Sequence, residues 1–332
     1  MSKAAEILRV SDLRSFPGEL RGGVVAIGNF DGVHRGHQAV LDRALEKAKA
    51  GGCPAVVLTF EPHPRSVIRP DIPLFRLTPA PMKACILAKL GFDAVVEMPF
   101  TRAFAGQSAE EFVTRILDDG LGVSHVMTGV DFHFGKDRQG GPAYLMEAGE
   151  RHSFGVTLVD AFRDEGAHVV SSSRIRALLA EGDIAQAAGL LGYRYTVEAE
   201  ISKGRQLGRT LGYPTANMAL PADTDLAHGI YAVKFRRADG TLHDGVASFG
   251  RRPTVEEDGA ALLETFLFDF SGDLYGETCR VSFFSYLRGE EKFDGLDPLI
   301  AQMRRDEEEA RAVLTKVTAL STLDRAVVFA AG

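Results

Sequence analysis

The chain has 332 residues, enough for about two domains, and its 45% hydrophobic and 25% charged residues are ordinary for a globular protein. A formal net charge of −7 offers no strong positive field for a nucleic-acid polymer, and three cysteines fit a reducing compartment better than a disulfide framework. Residues 1–20 lack an apolar export signal and no window is long enough to span a bilayer. The sequence therefore predicts a cytoplasmic protein with no membrane or nucleic-acid partner.

Apolar strands alternate with amphipathic helices from residue 20 to about residue 160. This alternation predicts a doubly wound parallel sheet, because parallel strands need helical crossovers. Ser108 and Glu111 form a capping-box pattern ahead of one of the helices. The expected strands are 24–27, 55–60, 94–98, 125–128 and 156–159, and the expected helices are 38–50, 82–90, 108–117 and 144–154.

A glycine-rich turn, residues 28–37, joins the first of these strands to its helix. His34 and His37 are three residues apart and share one helical face. A helix N-terminus has free N–H groups and a positive dipole end, and both favour a phosphate group. Gly32 and Gly36 allow close approach to the backbone. The pattern predicts a site where two imidazoles donate to a nucleotide that is losing pyrophosphate.

Other interpretations of this turn remain open. Two histidines could bind zinc, but zinc needs third and fourth ligands, and Cys53, Cys85 and Cys279 lie far apart in sequence. The histidines could also be ordinary polar residues at a helix start. A dinucleotide site is disfavoured because the glycines do not follow the G-x-G-x-x-G spacing.

Two more motifs, residues 60–64 and 129–135, follow strands of the predicted sheet. Ligands of such sheets bind beyond the carboxyl ends of the strands. A third motif, residues 171–176, opens a further helix with three serines and two arginines. Hydroxyl and guanidinium groups there predict a phosphate clamp, although a plain helix cap with solvated arginines is the alternative.

The pattern changes from Tyr193 onward to short strand-like runs separated by turns. Such runs predict an antiparallel barrel. We place the domains at residues 1–188 and 189–332. The expected strands are 195–201, 229–235, 244–249, 262–270 and 278–286, followed by a polar helix over 298–317.

The motifs and their order resemble the prokaryotic bifunctional riboflavin kinase/FAD synthetase family over residues 24–314. The resemblance implies an N-terminal doubly wound parallel-sheet nucleotidyltransferase domain, then a C-terminal antiparallel β-barrel riboflavin kinase domain with a C-terminal helix. The motifs that carry the resemblance are GNFDGVHRGH, TFEPHP, GVDFHFG and SSSRIR in the first half, and LGRTLGYPTANM, GIYAV, GRRPT, ETFLFDFSGDLYG and LRGEEKFDGL in the second.

The resemblance implies two reactions. The second half would phosphorylate riboflavin with ATP to give FMN, and the first half would join FMN to a second ATP to give FAD and pyrophosphate. The implied partners are ATP, riboflavin, FMN and FAD, with Mg²⁺ accompanying ATP, and the sequence leaves room for a weak homo-oligomer.

The resemblance also assigns roles in the first half. His34 and His37 would contact the triphosphate during catalysis. Serine stands at position 173 where the family usually has threonine, and it keeps the hydroxyl. The other nucleotide-binding residues would be Gly28, Asn29, Phe30, Asp31, Gly36, Ser172, Ser173 and Arg176, and the flavin-binding residues would be Pro62, His63, Asp131, Phe132 and Phe134.

In the second half, the resemblance assigns Thr215 and Asn217 to nucleotide and metal binding, and their oxygens are hard ligands appropriate for Mg²⁺. Glu264 would be the catalytic base. The motif around Thr215 could instead be an ordinary turn, and Glu264 could face solvent on a strand. Gly208 and Pro214 would also bind the nucleotide, and Arg288 would bind the flavin.

Two competing functions stay open. The chain could be a single-activity nucleotidyltransferase whose second half only binds flavin as a regulatory module. It could also transfer a nucleotide to another acceptor, for example nicotinate mononucleotide or phosphopantetheine. Ala199, Ser248 and Phe249 depart from the family's common residues, but none carries assigned chemistry.

Overall fold

The computed structural model describes residues 7–203, 212–251 and 261–330. These residues form two compact units. The first contains residues 7–74 and 78–171, and the second contains residues 75–77 and 172–330. The boundary expected between residues 188 and 189 stays a prediction.

The first unit contains a six-stranded, fully parallel sheet in the order β1-β4-β3-β2-β5-β6. The doubly wound parallel sheet is therefore confirmed. Strand β2 is buried along its whole length, as expected for a strand covered on both faces. The sequence pattern missed only β1, whose three residues are too few to show a period. The strands are β1 (Leu8–Val10), β2 (Val24–Ile27), β3 (Ala55–Glu61), β4 (Ala94–Pro99), β5 (His125–Gly129) and β6 (Gly155–Val159).

Six helices accompany this sheet in the described residues. The capping box is confirmed, since the Ser108 hydroxyl accepts the Glu111 N–H while the Glu111 carboxylate accepts the Ser108 N–H. The helices are α1 (Arg35–Gly51), α2 (Pro64–Ile68), α3 (Ala80–Leu90), α4 (Arg102–Ala105), α5 (Ala109–Phe112), which continues as a π-helical segment (Val113–Leu121), and α6 (Pro142–His152).

Strands β3, β2 and β5 are neighbours and run in the same direction. Their carboxyl ends therefore meet at one edge of the sheet. The three motifs expected to bind ligands, residues 28–37, 60–64 and 129–135, all follow these strands at that edge. The chain order of the strands reverses between β2 and β5, which is the position where such sheets bind ligands.

The second unit contains a closed antiparallel barrel of six strands in the order β10-β11-β8-β7-β12-β9. The predicted barrel is confirmed. Strand β8 was not expected from the sequence pattern, which left the Pro-Thr-Ala-Asn motif open as a turn. The strands are β7 (Thr196–Ser202), β8 (Thr215–Leu220), β9 (Gly229–Arg236), β10 (Leu242–Arg251), β11 (Ala261–Leu267) and β12 (Thr278–Arg288).

Helix α9 (Leu296–Leu314) packs on the outside of the barrel. Its Ala310 and Leu314 form a buried cluster with Ala232 of β9 and Phe268, which follows β11. No helix in the described part of the chain is both long and apolar enough to cross a membrane. The remaining helices of this unit are α7 (Ser172–Glu181), α8 (Ile184–Leu191) and α10 (Thr322–Asp324), which continues as a π-helical turn (Arg325–Phe329).

A buried ion pair joins the C-terminal segment to Arg194, two residues before β7 begins. Asp324 is fully buried, and its carboxylate accepts the Arg194 N–H at 2.8 Å, the Leu320 N–H at 2.8 Å and a guanidinium N–H of Arg194. Removing one partner of a buried pair leaves an uncompensated charge, which costs more than the pair itself contributes.

We expect Asp324→Ala to lower the free energy of unfolding of the second unit by about 3–5 kcal/mol, because Arg194 is left buried without its counter-charge. Urea unfolding followed by circular dichroism measures this loss. Asp294→Ala is the matched control, since Asp294 is exposed. Equal effects of the two substitutions would show that the buried pair is not a fastening point.

Candidate active sites

The turn after β2 has a strained backbone. Phe30, Gly32 and Val33 have φ angles of 48°, 89° and 35°, a region that a β-branched residue such as valine rarely adopts. Phe30 and Val33 are 2% and 0% exposed, so packing of their side chains holds the backbone in this conformation. Strain of this kind is concentrated at ligand sites in proteins.

Asp31 is a buried carboxylate within the turn. It is 1% exposed, and its carboxylate accepts the Thr78 N–H at 3.0 Å, while the Thr78 hydroxyl accepts the Gly32 N–H at 2.8 Å. Asp31 was predicted to bind the nucleotide. The contacts show it holding the turn against Thr78.

His34 is the N-cap of α1. Its Nδ1 accepts the His37 N–H at 3.2 Å, so the ring proton of neutral His34 is on Nε2. The His34 and His37 rings stack with centroids 3.6 Å apart and planes 15° apart. A Cβ at Gly36 would lie 3.1 Å from the His34 ring, which explains the glycine there. The two predicted catalytic imidazoles are thus brought together.

His37 is held in its neutral form. Burial lowers its pKa well below the usual 6.5, and the nearby His34 and Lys83 lower it further. The ring also contacts the edge of Phe30, with centroids 5.4 Å apart. Its Nδ1 is buried and has no hydrogen-bond partner in the described residues. A neutral imidazole can donate one N–H and accept at its other nitrogen.

The polar residues that support this turn were not predicted from the sequence. Lys83 of α3 is buried, and its ammonium donates to the Asn29 carbonyl at 3.0 Å and to Glu61 at 2.9 Å. The signal was present, because Lys83 shares a helical face with Ile86 and Leu87. A lysine on an apolar face marks a charge that must have a partner.

The predicted flavin motifs lie at the same edge of the sheet. His63 caps α2 by accepting the Arg65 N–H at 3.1 Å, and Pro62 is exposed beside it. Phe132 is half-buried and stacks on Phe134, with centroids 5.6 Å apart. Phe134 is 7% exposed and belongs to the core, and Phe132 packs against that core. Of the remaining predicted residues at this edge, Asp131 is exposed and Gly28 is half-buried directly after β2.

The residues of the predicted phosphate clamp belong to the second unit. Ser172 and Ser173 are the first two residues of α7. The Arg176 Nε on the same helix donates to the Phe75 carbonyl at 2.6 Å. The serines therefore stand at a helix N-terminus, as expected.

The predicted kinase residues lie on neighbouring barrel strands. Glu264 of β11 pairs with Asn217 of β8 on one side and with Ser248 of β10 on the other. Directly paired residues of antiparallel strands point to the same face. Thr215, two residues before Asn217, is on this face as well. The alternating residues Leu263 and Thr265 are buried in the barrel, so the paired set is on its outer face.

Asn217 has an unsatisfied oxygen. The side chain is 4% exposed, and its amide nitrogen donates to the Thr215 carbonyl at 3.1 Å. Its Oδ1 is buried and has no hydrogen-bond partner in the described residues. A buried oxygen of this kind can bind a hard cation whose other ligands are water or substrate oxygens. Within the described ranges, no group of three or more His, Cys, Asp or Glu residues could hold a metal by itself.

Arg288 is fastened by an ion pair. Its guanidinium donates to both carboxylate oxygens of Asp306 in α9, at 2.8 and 2.6 Å. Pro214 is exposed directly before β8. Gly208, which was predicted to bind the nucleotide, lies outside the described residues.

Comparisons with known proteins agree with both units. The family model for FAD synthetase matches residues 17–174, and the model for riboflavin kinase matches residues 191–314. A bifunctional riboflavin kinase/FMN adenylyltransferase of Pseudomonas fluorescens is 42% identical over 92% of this chain and 97% of its own length. A protein of the same name from Listeria monocytogenes is 39% identical over 89% of this chain and 93% of its own.

The fold is similar to that of a solved structure from another bacterium. A Streptococcus pneumoniae protein described as a macrolide-efflux protein matches with a TM-score of 0.81 and 30% identity, covering 92% of this chain and 99% of that one. Its fold therefore extends over both units.

The first unit has a parallel sheet with paired histidines at a helix start. The second has a barrel with a carboxylate beside an unpaired amide oxygen. Together they define a two-part enzyme that acts on nucleotides. The chain belongs to the bifunctional riboflavin kinase/FMN adenylyltransferase family, with the FAD synthetase part first and the riboflavin kinase part second.

The lowered pKa of His37 makes the first unit sensitive to acid. The unfolded chain binds a proton at His37 below about pH 6.5, whereas the folded chain does not until a much lower pH. We therefore expect the free energy of unfolding to have its full value above about pH 6.5 and to fall as the pH decreases below 6.5. Urea unfolding from about pH 8 to about pH 5 measures this slope.

His37→Gln should flatten that slope, whereas His168→Gln should not, because the His168 side chain is 75% exposed. Part of the slope will remain, since burial and Lys47 also lower the pKa of His125. An unchanged slope in His37→Gln would contradict the neutral state of His37.

Proposed function

We propose that this chain converts riboflavin and ATP to FMN and ADP in its second unit, and FMN and ATP to FAD and pyrophosphate in its first. The observation that carries the proposal is the pairing of Glu264 with Asn217 across β11 and β8. A module that only binds flavin needs no carboxylate beside a metal-binding oxygen. This pairing therefore favours the bifunctional enzyme over a single nucleotidyltransferase with a regulatory module.

In the first unit, adenylyl transfer would be attack of the FMN phosphate on the α-phosphorus of ATP. The protein has to orient the two phosphates and stabilise the charge that develops on the departing pyrophosphate. The Nε2–H of His34 and the neutral ring of His37 are the donors we assign to that task. The N-terminus of α1 adds free N–H groups at the same place.

In the second unit, a neutral hydroxyl of riboflavin has to lose its proton as it attacks the γ-phosphate. We assign proton removal to Glu264, which is half-buried on the outer face of the barrel. Asp269 is unsuited to this role, because its carboxylate is held by Arg311 at 2.8 and 3.1 Å.

Magnesium is part of the proposal for the second unit. Asn217 Oδ1 and the Thr215 hydroxyl would hold the ion, since both are the hard oxygen ligands that Mg²⁺ prefers. The ion would neutralise charge on the transferred phosphoryl group. The flavin roles of Pro62, His63, Phe132 and Arg288 rest on the family resemblance. The cytoplasmic location, the weak homo-oligomer and the lack of nucleic-acid and membrane partners stay predictions.

The test is incubation of the full chain with riboflavin, ATP and Mg²⁺, with products separated by chromatography. We expect FMN first and FAD after it. Formation of FAD from supplied FMN but never from riboflavin would favour the single-activity alternative.

We expect Glu264→Gln to lower FMN formation by roughly 10²- to 10⁴-fold, the range for one positioned general base. Glutamine keeps the shape and one acceptor oxygen but cannot take the proton. FAD formation from supplied FMN should be unaffected. Asp269→Asn is the control and should leave both reactions near the unmodified rate, whereas the opposite result would transfer the base role to Asp269.

We expect His37→Ala to lower FAD formation from FMN by roughly 10²-fold or more, as for the loss of one transition-state donor. FMN formation by the second unit of the same preparation should not change. His125→Gln is the control, because His125 begins β5 at the opposite edge of the sheet and bonds to Thr157. Normal FAD synthesis by His37→Ala would remove His37 from the site.

A further inference from the structure

Lys83 is a buried charge that neither reaction uses directly. It lies in α3, and its side chain is 1% exposed. Burying an ammonium group is costly unless it is fully hydrogen-bonded and paired. With so little exposure, the ammonium cannot touch a substrate, so its effect has to be transmitted by the residues it contacts.

Three oxygens accept the hydrogen bonds of the Lys83 ammonium. They are the Asn29 carbonyl at 3.0 Å, the Thr59 hydroxyl at 3.1 Å and the Glu61 carboxylate at 2.9 Å. An ammonium has three N–H donors, so these bonds satisfy it. The Thr59 hydroxyl also donates to the Asn29 carbonyl at 3.1 Å, which makes that carbonyl the centre of the network.

The three oxygens come from the two segments that frame the predicted site. Asn29 is in the nucleotide turn, directly before Phe30, where the backbone has a φ of 48°. Glu61 ends β3 and directly precedes Pro62, the start of the predicted flavin segment. One side chain from a third element therefore joins the floor of the nucleotide turn to the base of the flavin segment.

We propose that Lys83 is a positioning residue for FMN adenylylation, which holds the Asn29 peptide and Glu61 at a fixed separation so that the two bound phosphates meet in line. Adenylyl transfer depends on such alignment, because misplacement by about 1 Å can cost roughly 10²-fold in rate. The proposal rests on the proposed function of the first unit.

The charge of Lys83 provides separate support. The ammonium is close enough to His37 to contribute to the lowered pKa of that imidazole. Lys83 thus acts on the backbone of the turn through hydrogen bonds and on the imidazole through its field, while Glu61 balances its charge.

The test compares Lys83→Met and the double variant Lys83→Met/Glu61→Gln with Lys89→Met in the full chain. The double variant leaves no carboxylate without its counter-charge. Lys89 is the matched control, since it is in the same helix and is partly exposed. Both Lys83 variants should lower kcat for FMN adenylylation by roughly 10²-fold, with KM for ATP and FMN changed by less than about threefold.

Riboflavin kinase turnover of the same samples should be unchanged, and the loss in kcat should persist well below the unfolding temperature. A folded double variant with kcat within about threefold of the unmodified chain would overturn the proposal. So would a loss that disappears on cooling, because it would report stability alone. An unmodified chain that makes FMN but no FAD would overturn the proposed adenylylation as well.

Discussion

The common direction of β3, β2 and β5 is the constraint on which the first unit depends. Because the three strands are parallel neighbours, the turns that follow them must all emerge at one edge of the sheet. Residues that are about a hundred positions apart in sequence thereby come together at this edge. The helix after β2 starts at that edge, so its N-terminal N–H groups and the stacked imidazoles lie there as well.

In the barrel, the alternation of side chains along each strand decides which residues can form a site. Successive side chains alternate between the interior and the outer face, and the interior positions such as Leu263 and Thr265 are buried. The outer positions do not fill the barrel interior, so they can carry polar side chains. Antiparallel register then decides which of them meet, and it places Glu264 between Asn217 and Ser248.

Buried polar groups have two distinct roles in this protein. In the first, Asp31 and Lys83 are satisfied within the fold and hold the strained turn that contains Phe30. In the second, Asn217 keeps an oxygen without a partner in the described residues. A satisfied buried group stabilises a shape, whereas an unsatisfied one costs free energy until a ligand arrives.

The sequence alone determined the fold class, because apolar period and turn residues are local properties. It also predicted that His34 and His37 share a helix start, since a helix start after a buried strand and the spacing of the two histidines can be read from neighbouring residues. Tertiary structure decided what depends on distant partners. Two such contacts join residues about fifty positions apart, namely Asp31 with Thr78 and Glu264 with Asn217. The short strand β1 depends on a still more distant partner, since its Leu8 pairs with Ala94 of β4. No local pattern contains that information.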